Sequence, residues 1–395
     1  MSNPGSSNAL AIYLGVVQLF FATTWTLYVI YLPQLAQRAG IGREWVPWIL
    51  VADQVVFAIM DVVTGFWVDR VRSGLARLGG WILGATLLSG AAFLALPLLN
   101  FNPFWLLAAV LVWSITSSAL RSPPWILLGR YAALPSLPWL STLVLTGNAL
   151  AAAMAPYLGI ALRGVDPKLP FVLSTLTLLA TVGGLVYVER RIAGNAFIEK
   201  TPSEEHSRES PQRIALFFLA LWLMAAGFQV HFSLNSAPQY LRFASPADLP
   251  YLMPVFWVGF NVLMFPAAGL VRRLGAVQCM AIAAAAGALA TLAAVLAPDL
   301  RLLLAAQFAA GGCWGAASVA AYCAVIGFGR TGREGRFLGA LFAALAIAAF
   351  VRIAAYASDV VLEPQLKALL PWIPGAAWLL SAGLLFLAAR SFRRG

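Results

Sequence analysis

The sequence predicts an all-α polytopic membrane protein, and three observations predict it. Of its 395 residues, 61% are hydrophobic and only 10% are charged, with a mean hydropathy of +0.84. A soluble domain carries about 25% charged residues, and so sparse a charge set does not build a water-facing surface. The apolar residues also fall in runs of ~20, the length that spans a hydrocarbon core as a helix. Lys and Arg gather in alternate loops between those runs, as membrane topology requires. This composition excludes a cytoplasmic enzyme, a secreted disulfide scaffold and a disordered chain.

Backbone groups in lipid must be satisfied internally, which leaves helices or closed barrels. The runs are too long and too uniformly apolar for barrel strands. Twelve spans follow. The first, 9–33, carries Gln18, Thr23, Thr24, Trp25 and Tyr28. The second, 45–69, carries Asp53 and Asp61, and the third is 78–98. The fourth, 104–129, carries Trp113 and Arg121; the fifth, 137–162, carries Asn148; the sixth is 169–189. A polar stretch, Arg190 to Gln212, follows with Pro202, Pro211 and His206, and reads as a solvated linker with His206 on its surface. The seventh span, 213–241, carries Gln229, His231 and Asn235, and the eighth, 249–271, carries Trp257 and Asn261. The ninth is 275–297; the tenth, 300–328, carries Gln307, Trp314 and Tyr322. The eleventh, 335–359, carries Arg352, and the twelfth is 368–390. Pro238 should kink or break the outer end of the seventh span, because it removes a helix hydrogen bond.

The linker divides the chain into a six-helix half, 1–189, and a second, 213–395, which suggests an internal duplication. With the N-terminus cytoplasmic, seventeen Lys and Arg lie inside and seven outside, with Arg121 and Arg352 within spans. Both termini are therefore expected inside. The net charge of +11 is explained by this topology and not by nucleic-acid binding, since no basic stripe interleaves with aromatics. Cys279, Cys313 and Cys323 sit in apolar runs and read as buried small hydrophobes. Met1 to Leu10 holds no Lys or Arg, so no cleavable signal peptide is expected.

After the second span the chain reads Gly65-Phe66-Trp67-Val68-Asp69-Arg70-Val71-Arg72. This resembles the loop motif of the major facilitator superfamily. The matching place in the second half reads Ala268-Gly269-Leu270-Val271-Arg272-Arg273, with Arg272 where the motif has Asp. The resemblance implies the superfamily fold of two six-helix bundles. It also implies a conformational latch built from Gly65, Asp69, Arg70, Arg72, Arg272 and Arg273. The motif has a physical logic, because a small residue lets helices approach and an acid can meet a helix N-terminus. Two finer likenesses point in different directions. Asp61-Val62-Val63-Thr64-Gly65 and Ser122-Pro123-Pro124-Trp125 resemble the glycoside–pentoside–hexuronide cation symporters, although Val62 replaces their Pro and Phe57 stands where their melibiose-type members have a second acid. Ala155-Pro156-Tyr157-Leu158-Gly159 resembles the antiporter motif of drug exporters.

Ionisable groups inside a bilayer are costly and mark cavities or partners. At about 1.5 Å per residue, Asp61 and Arg121 share one depth, and Asp53 and Arg352 share another. Two pairs are therefore expected, Asp61–Arg121 within the first half and Asp53–Arg352 across the halves. A pair that bridges moving halves can break and re-form, which makes Asp53 a candidate proton carrier. His231, with an ordinary pKa of ~6.5, is a second candidate for coupling; the alternatives are a substrate contact and a structural residue satisfied by hydrogen bonds. The superfamily cavity would draw on Gln18, Trp25, Tyr28, Trp113, Asn148, Gln229, Asn235, Trp257, Asn261, Gln307, Trp314 and Tyr322. Aromatic walls with a few amides suit an uncharged or amphiphilic organic molecule.

No HExxH, GxSxG, Walker or His-x4-Asp sequence occurs, and the glycines 327, 329, 332 and 335 lie in a basic loop. The sequence therefore points to a secondary transporter and not an enzyme, with no cofactor and no metal. Its expected partners are a small-molecule solute, a proton or else sodium, and the lipid of a cytoplasmic membrane, and it is expected to act as a monomer. A proton-antiporting exporter and a non-transporting assembly or delivery factor on the same fold are the alternatives.

Overall fold

The computed structural model describes residues 4–70, 75–118, 121, 125–126, 128–129, 132, 134–194, 210–329 and 332–391. All regular structure among them is helical. Each of the twelve expected spans overlaps a helix. In chain order these are α1 (Pro4–Arg38), α2 (Val46–Arg70), α3 (Leu75–Ala95), α4 (Pro103–Ser118), α5 (Leu137–Ala161) and α6 (Lys168–Gly194). They continue as α7 (Pro211–Tyr240), α8 (Leu249–Leu274), α9 (Ala276–Leu296), α10 (Leu300–Gly329), α11 (Glu334–Ala357) and α12 (Ile373–Ser391). Eight of them are long and apolar enough to cross a membrane: α1, α2, α5 and α7 to α11.

The distribution of side chains is inverted relative to a soluble protein. Leu289, Leu379, Leu380 and Phe104 are more than 60% exposed, whereas Asp61, Ser114, Gln307 and Ser381 are wholly buried. A soluble monomer does not leave so much aliphatic and aromatic surface in water. Hydroxyls within the helices are satisfied locally: Thr23, Thr26, Thr175 and Thr181 each donate to the carbonyl four residues back. Such internal pairing suits a lipid surround.

The helices form two compact units. The first comprises Met1–Ala133, Leu143–Glu205 and Gly329–Ala343; the second comprises Leu134–Thr142, His206–Phe328 and Ala344–Gly395. Small residues set the tightest helix crossings in each. In the first unit a Cβ on Gly147 would strike the backbone of Gly15, drawing α1 and α5 together. In the second, Cβ atoms on Gly259 and Gly311 would strike the backbones of Phe308 and Phe256, drawing α8 and α10 together. Close backbone approach of this kind is the membrane mode of helix packing.

Three expectations change at the level of elements. The helix of the fourth span is described to Ser118, Arg121 lies in a turn with its N–H donating to the Ser118 carbonyl at 3.2 Å, and helix is described again at 125–126 and 128–129. The seventh span is not broken at Pro238; α7 runs on to Tyr240 and absorbs the missing donor in a five-residue π-helical turn, His231–Asn235. The twelfth starts later than expected, at Ile373, with a separate short helix, Pro364–Leu369, before it. Within the linker, α6 extends to Gly194 and α7 opens with Pro211 in its first turn, where the missing N–H costs nothing. The residues between 195 and 209, His206 included, lie outside the described set, as do Arg72 and Ser122-Pro123-Pro124.

Candidate functional site

The first unit's candidate site is organised along one face of α2. Asp53, Phe57, Asp61, Gly65 and Asp69 recur every fourth residue, the spacing that stacks side chains on one helical face. All five are buried. A buried charge needs compensation, and the three acids obtain it in three different ways.

Asp69 is held by a helix start. The Gly335 and Arg336 backbone N–H groups donate to Asp69 Oδ1 and Oδ2 at 2.8 and 3.0 Å, at the first turn of α11. The Arg336 Nε lies 3.4 Å from Oδ2, and its guanidinium covers the Phe66 ring. This combines orphan amides with the positive end of the helix dipole. Gly65 makes the approach possible, since a Cβ there would strike the Gly335 carbonyl, and one on Gly339 would strike the Asp61 carbonyl.

Asp61 is held by a cation. Arg121 Nη1 lies 3.0 Å from Asp61 Oδ2, and its guanidinium sits 5.2 Å from the Phe57 ring and 5.2 Å from the Phe342 ring. The two rings add cation–π attraction on either side of the charge.

Asp53 is held by neutral hydroxyls. Ser114 donates to Oδ1 at 2.6 Å and Tyr28 donates to Oδ2 at 2.7 Å. No ion pair to Asp53 occurs among the described residues, and Arg352 belongs to the other unit, where its Nε is buried without a hydrogen-bond partner. Aromatics wall the Asp53 site. Trp25 lies 5.4 Å from Tyr28, 5.2 Å from Phe57 and 5.9 Å from Trp113, while Tyr28 and Trp113 are 4.5 Å apart. Three of the expected cavity aromatics, Trp25, Tyr28 and Trp113, thus meet over one acid. Nearby on α1, Gln18 accepts from Asn148 Nδ2 at 3.1 Å, and Gln18 Nε2 is left buried without a partner. Thr24 pairs with Ser174 at 2.9 Å.

The second unit presents a different chemistry around the π turn of α7. His231 Nε2 meets Gln307 Oε1 at 3.0 Å, and Gln307 Nε2 donates to Gln239 Oε1 at 2.9 Å. The Ser236 hydroxyl is shared between the His231 carbonyl at 2.9 Å and Gln307 Oε1 at 3.3 Å. Since Gln307 offers His231 an oxygen, the imidazole carries its proton on Nε2. His231 Nδ1 and Gln239 Nε2 are then buried with no partner, and each unmade bond costs about 1–3 kcal/mol. Asn235 Nδ2 donates to the Leu370 carbonyl at 2.8 Å. An aromatic group adjoins the network. Phe256 lies 6.0 Å from His231, and Phe228 stacks on Trp314 at 4.7 Å and meets Trp257 at 5.9 Å. Asn261 spends its Nδ2 on its own helix, donating to the Trp257 carbonyl at 2.9 Å. Tyr322 is buried and Gln229 is half-buried. Arg272 and Arg273 are exposed in the last turn of α8 and Arg70 in the last turn of α2, where cations complement the helix dipole.

Ser114, Phe57, Phe342, Gln239 and Phe256 were not singled out by sequence. Helical spacing could have found two of them. Ser114 follows Trp113 on a face shared with Ser117 and Ser118, and Gln239 lies eight residues after His231 on one face of α7.

The fold and these two centres define a multi-pass helical membrane protein with buried polar sites in each unit. No family model and no curated protein matches the chain in sequence. Solved structures match it end to end. A bacterial homologue of the iron transporter ferroportin, in its outward-facing state, superposes with a TM-score of 0.76 at 14% identity, over 96% of this chain and 99% of that one. FucP, a major facilitator superfamily transporter in its outward conformation, superposes with a TM-score of 0.68 at 14% identity, over 97% and 99%. The human organic anion transporter MFSD10 gives 0.68 at 15% identity, over 98% and 99%. The chain therefore has the fold of the major facilitator superfamily transporters.

Proposed function

We propose that this protein is a secondary active transporter that moves a small uncharged organic solute by alternating access, coupled to protons through Asp53. One observation carries the reading. Of three buried acids on one face of α2, Asp61 has a guanidinium and Asp69 has a helix N-terminus, while among the described residues Asp53 has two neutral hydroxyl donors and no cation. A carboxylate so placed takes its compensating charge from outside the site, and a proton is the smallest such charge. Pairing of Asp53 with Arg352 in another state of the cycle belongs to this reading, as does a latch in which Asp69 and Gly65 hold the first turn of α11. His231 is the second candidate for coupling. The operating setting is a cytoplasmic membrane, with both termini inside and the chain acting as a monomer between halves 1–189 and 213–395.

The fold favours transport, since its neighbours are an iron-transporter homologue, a fucose:proton symporter and an organic anion transporter. Their cargoes differ, so the fold does not choose the solute. The test is a ligand thermal-shift screen on purified protein at two pH values, with and without sodium. A ligand at 100 times its Kd stabilises by about 2.7 kcal/mol. The reading expects a neutral organic hit whose strength changes with pH and not with sodium, and loses that pH dependence in Asp53→Asn. A sodium-dependent hit with unaltered pH dependence in Asp53→Asn contradicts it.

A further inference from the structure

We propose that the His231 Nδ1 lone pair and the Gln239 amide form a recognition site for a neutral, hydroxyl-bearing solute in the second unit. This deepens the transport reading and rests on it.

The imidazole is pinned at one end only, where Nε2 meets Gln307 at 3.0 Å. The Gln307 oxygen is shared by His231 and Ser236, and its nitrogen gives one of its two N–H donors to Gln239. Two atoms of this network are buried with no partner at all among the described residues, the acceptor His231 Nδ1 and the donor Gln239 Nε2. His231 is 1% exposed and Gln239 is 6% exposed, so bulk water does not complete them. The missing complement must donate to the first and accept from the second. A molecule with more than one hydroxyl supplies both.

Charge narrows the class. Among the described residues, the hydrogen-bond partners of His231, Ser236, Gln239 and Gln307 are all neutral. A charged ligand would enter this site without compensation. The surroundings are aromatic: Phe256 lies 6.0 Å from the imidazole and 5.6 Å from Phe228, which stacks on Trp314. Hydroxyl edges with a C–H face describe a polyol or monosaccharide. The π turn serves this arrangement. It starts at His231, and its widened ring is braced by the Ser236 hydroxyl on the His231 carbonyl. Such turns recur at functional sites.

The two ring nitrogens can be tested separately. Gln reaches the position of Nε2 but has nothing at Nδ1, and Asn does the reverse. Binding of glucose, xylose, myo-inositol and glycerol to purified protein is measured by calorimetry, beside glucosamine and glucuronate as charged counterparts. At least one neutral polyol is expected to bind, with the charged counterparts at least tenfold weaker. His231→Gln is expected to keep the thermal midpoint and weaken that binding at least tenfold. His231→Asn is expected to lower the midpoint while weakening binding less than His231→Gln does. The inference is overturned if no neutral polyol binds, or if the charged counterparts bind equally well. It is also overturned if His231→Gln binds as wild type does, which would mean that Nδ1 meets a structural water only. Proton-driven uptake that requires Asp53 but is indifferent to His231→Gln would leave the transport reading standing and remove this one. Binding that is sensitive to His231→Gln, in a protein without proton-driven uptake, would do the opposite.

Discussion

Asp53, Asp61 and Asp69 show how one residue type takes three roles from its surroundings. Asp61 and Arg121 are mutually dependent inside the protein. Removing one partner of a buried pair leaves an uncompensated charge at a cost of about 3–5 kcal/mol. Asp61→Asn should therefore lower the thermal midpoint sharply, and Asp61→Asn combined with Arg121→Gln should recover most of it. Recovery measured by thermal unfolding separates a structural pair from a functional one. Around Asp53 the expectation is milder. Tyr28→Phe and Ser114→Ala each remove one donor to the carboxylate, at about 1–3 kcal/mol apiece. Both variants should fold and both should shift the pH dependence of uptake, whereas Asp53→Asn should abolish it. The Asp61–Arg121 contact could be reached from sequence by counting depth, although Arg121 lies in a turn and not in α4. The partners of Asp53 do not, because Ser and Tyr are common in apolar helices and nothing in a single sequence marks which hydroxyl faces an acid.

At the scale of elements, the approach of α11 to α2 depends on glycine. A side chain at Gly65 would meet the Gly335 carbonyl and lift the first turn of α11 away from Asp69. Gly65→Val should cost about 1–3 kcal/mol through overpacking. It should also make a cysteine placed at Arg336 react faster with a water-soluble alkylating reagent. Asp69→Asn should raise the same reactivity without overpacking, by weakening the two amide bonds. Unchanged reactivity in both variants would mean that the contact does not hold the helix. The π turn of α7 is an instance where sequence shows the cause but not the outcome. Pro238 removes a donor, and that much is readable. Whether the helix kinks, breaks or widens depends on the partners that Ser236 and His231 find, Gln307 above all. Arg121 is similar: sequence puts it in a span, and the structure puts it in a turn that meets Asp61.

At the scale of the molecule, hydropathy and the distribution of Arg made the all-helical membrane architecture legible, since lipid leaves the backbone few alternatives. The Gly65-to-Arg72 motif carried the superfamily resemblance, and structures of that fold match nearly the whole chain. Chemistry is divided between the two units. The first gathers acids along α2, and the second gathers uncharged amides, a hydroxyl and an imidazole around α7. Sequence named most of these side chains as cavity candidates but did not distribute them, because a list of polar residues near a midplane does not say which share a hydrogen bond.

The central claim is that Asp53 couples protons to solute movement. The most direct measurement uses the purified protein in liposomes, with an imposed pH gradient and a pH-sensitive dye inside. The solute is the ligand found by thermal shift. Wild type should accumulate it against its gradient with proton movement, and a protonophore should stop the accumulation. Asp53→Asn should still exchange solute across the membrane, yet neither accumulate it nor move protons. Accumulation by Asp53→Asn at the wild-type level, with protons still moving, would contradict the account.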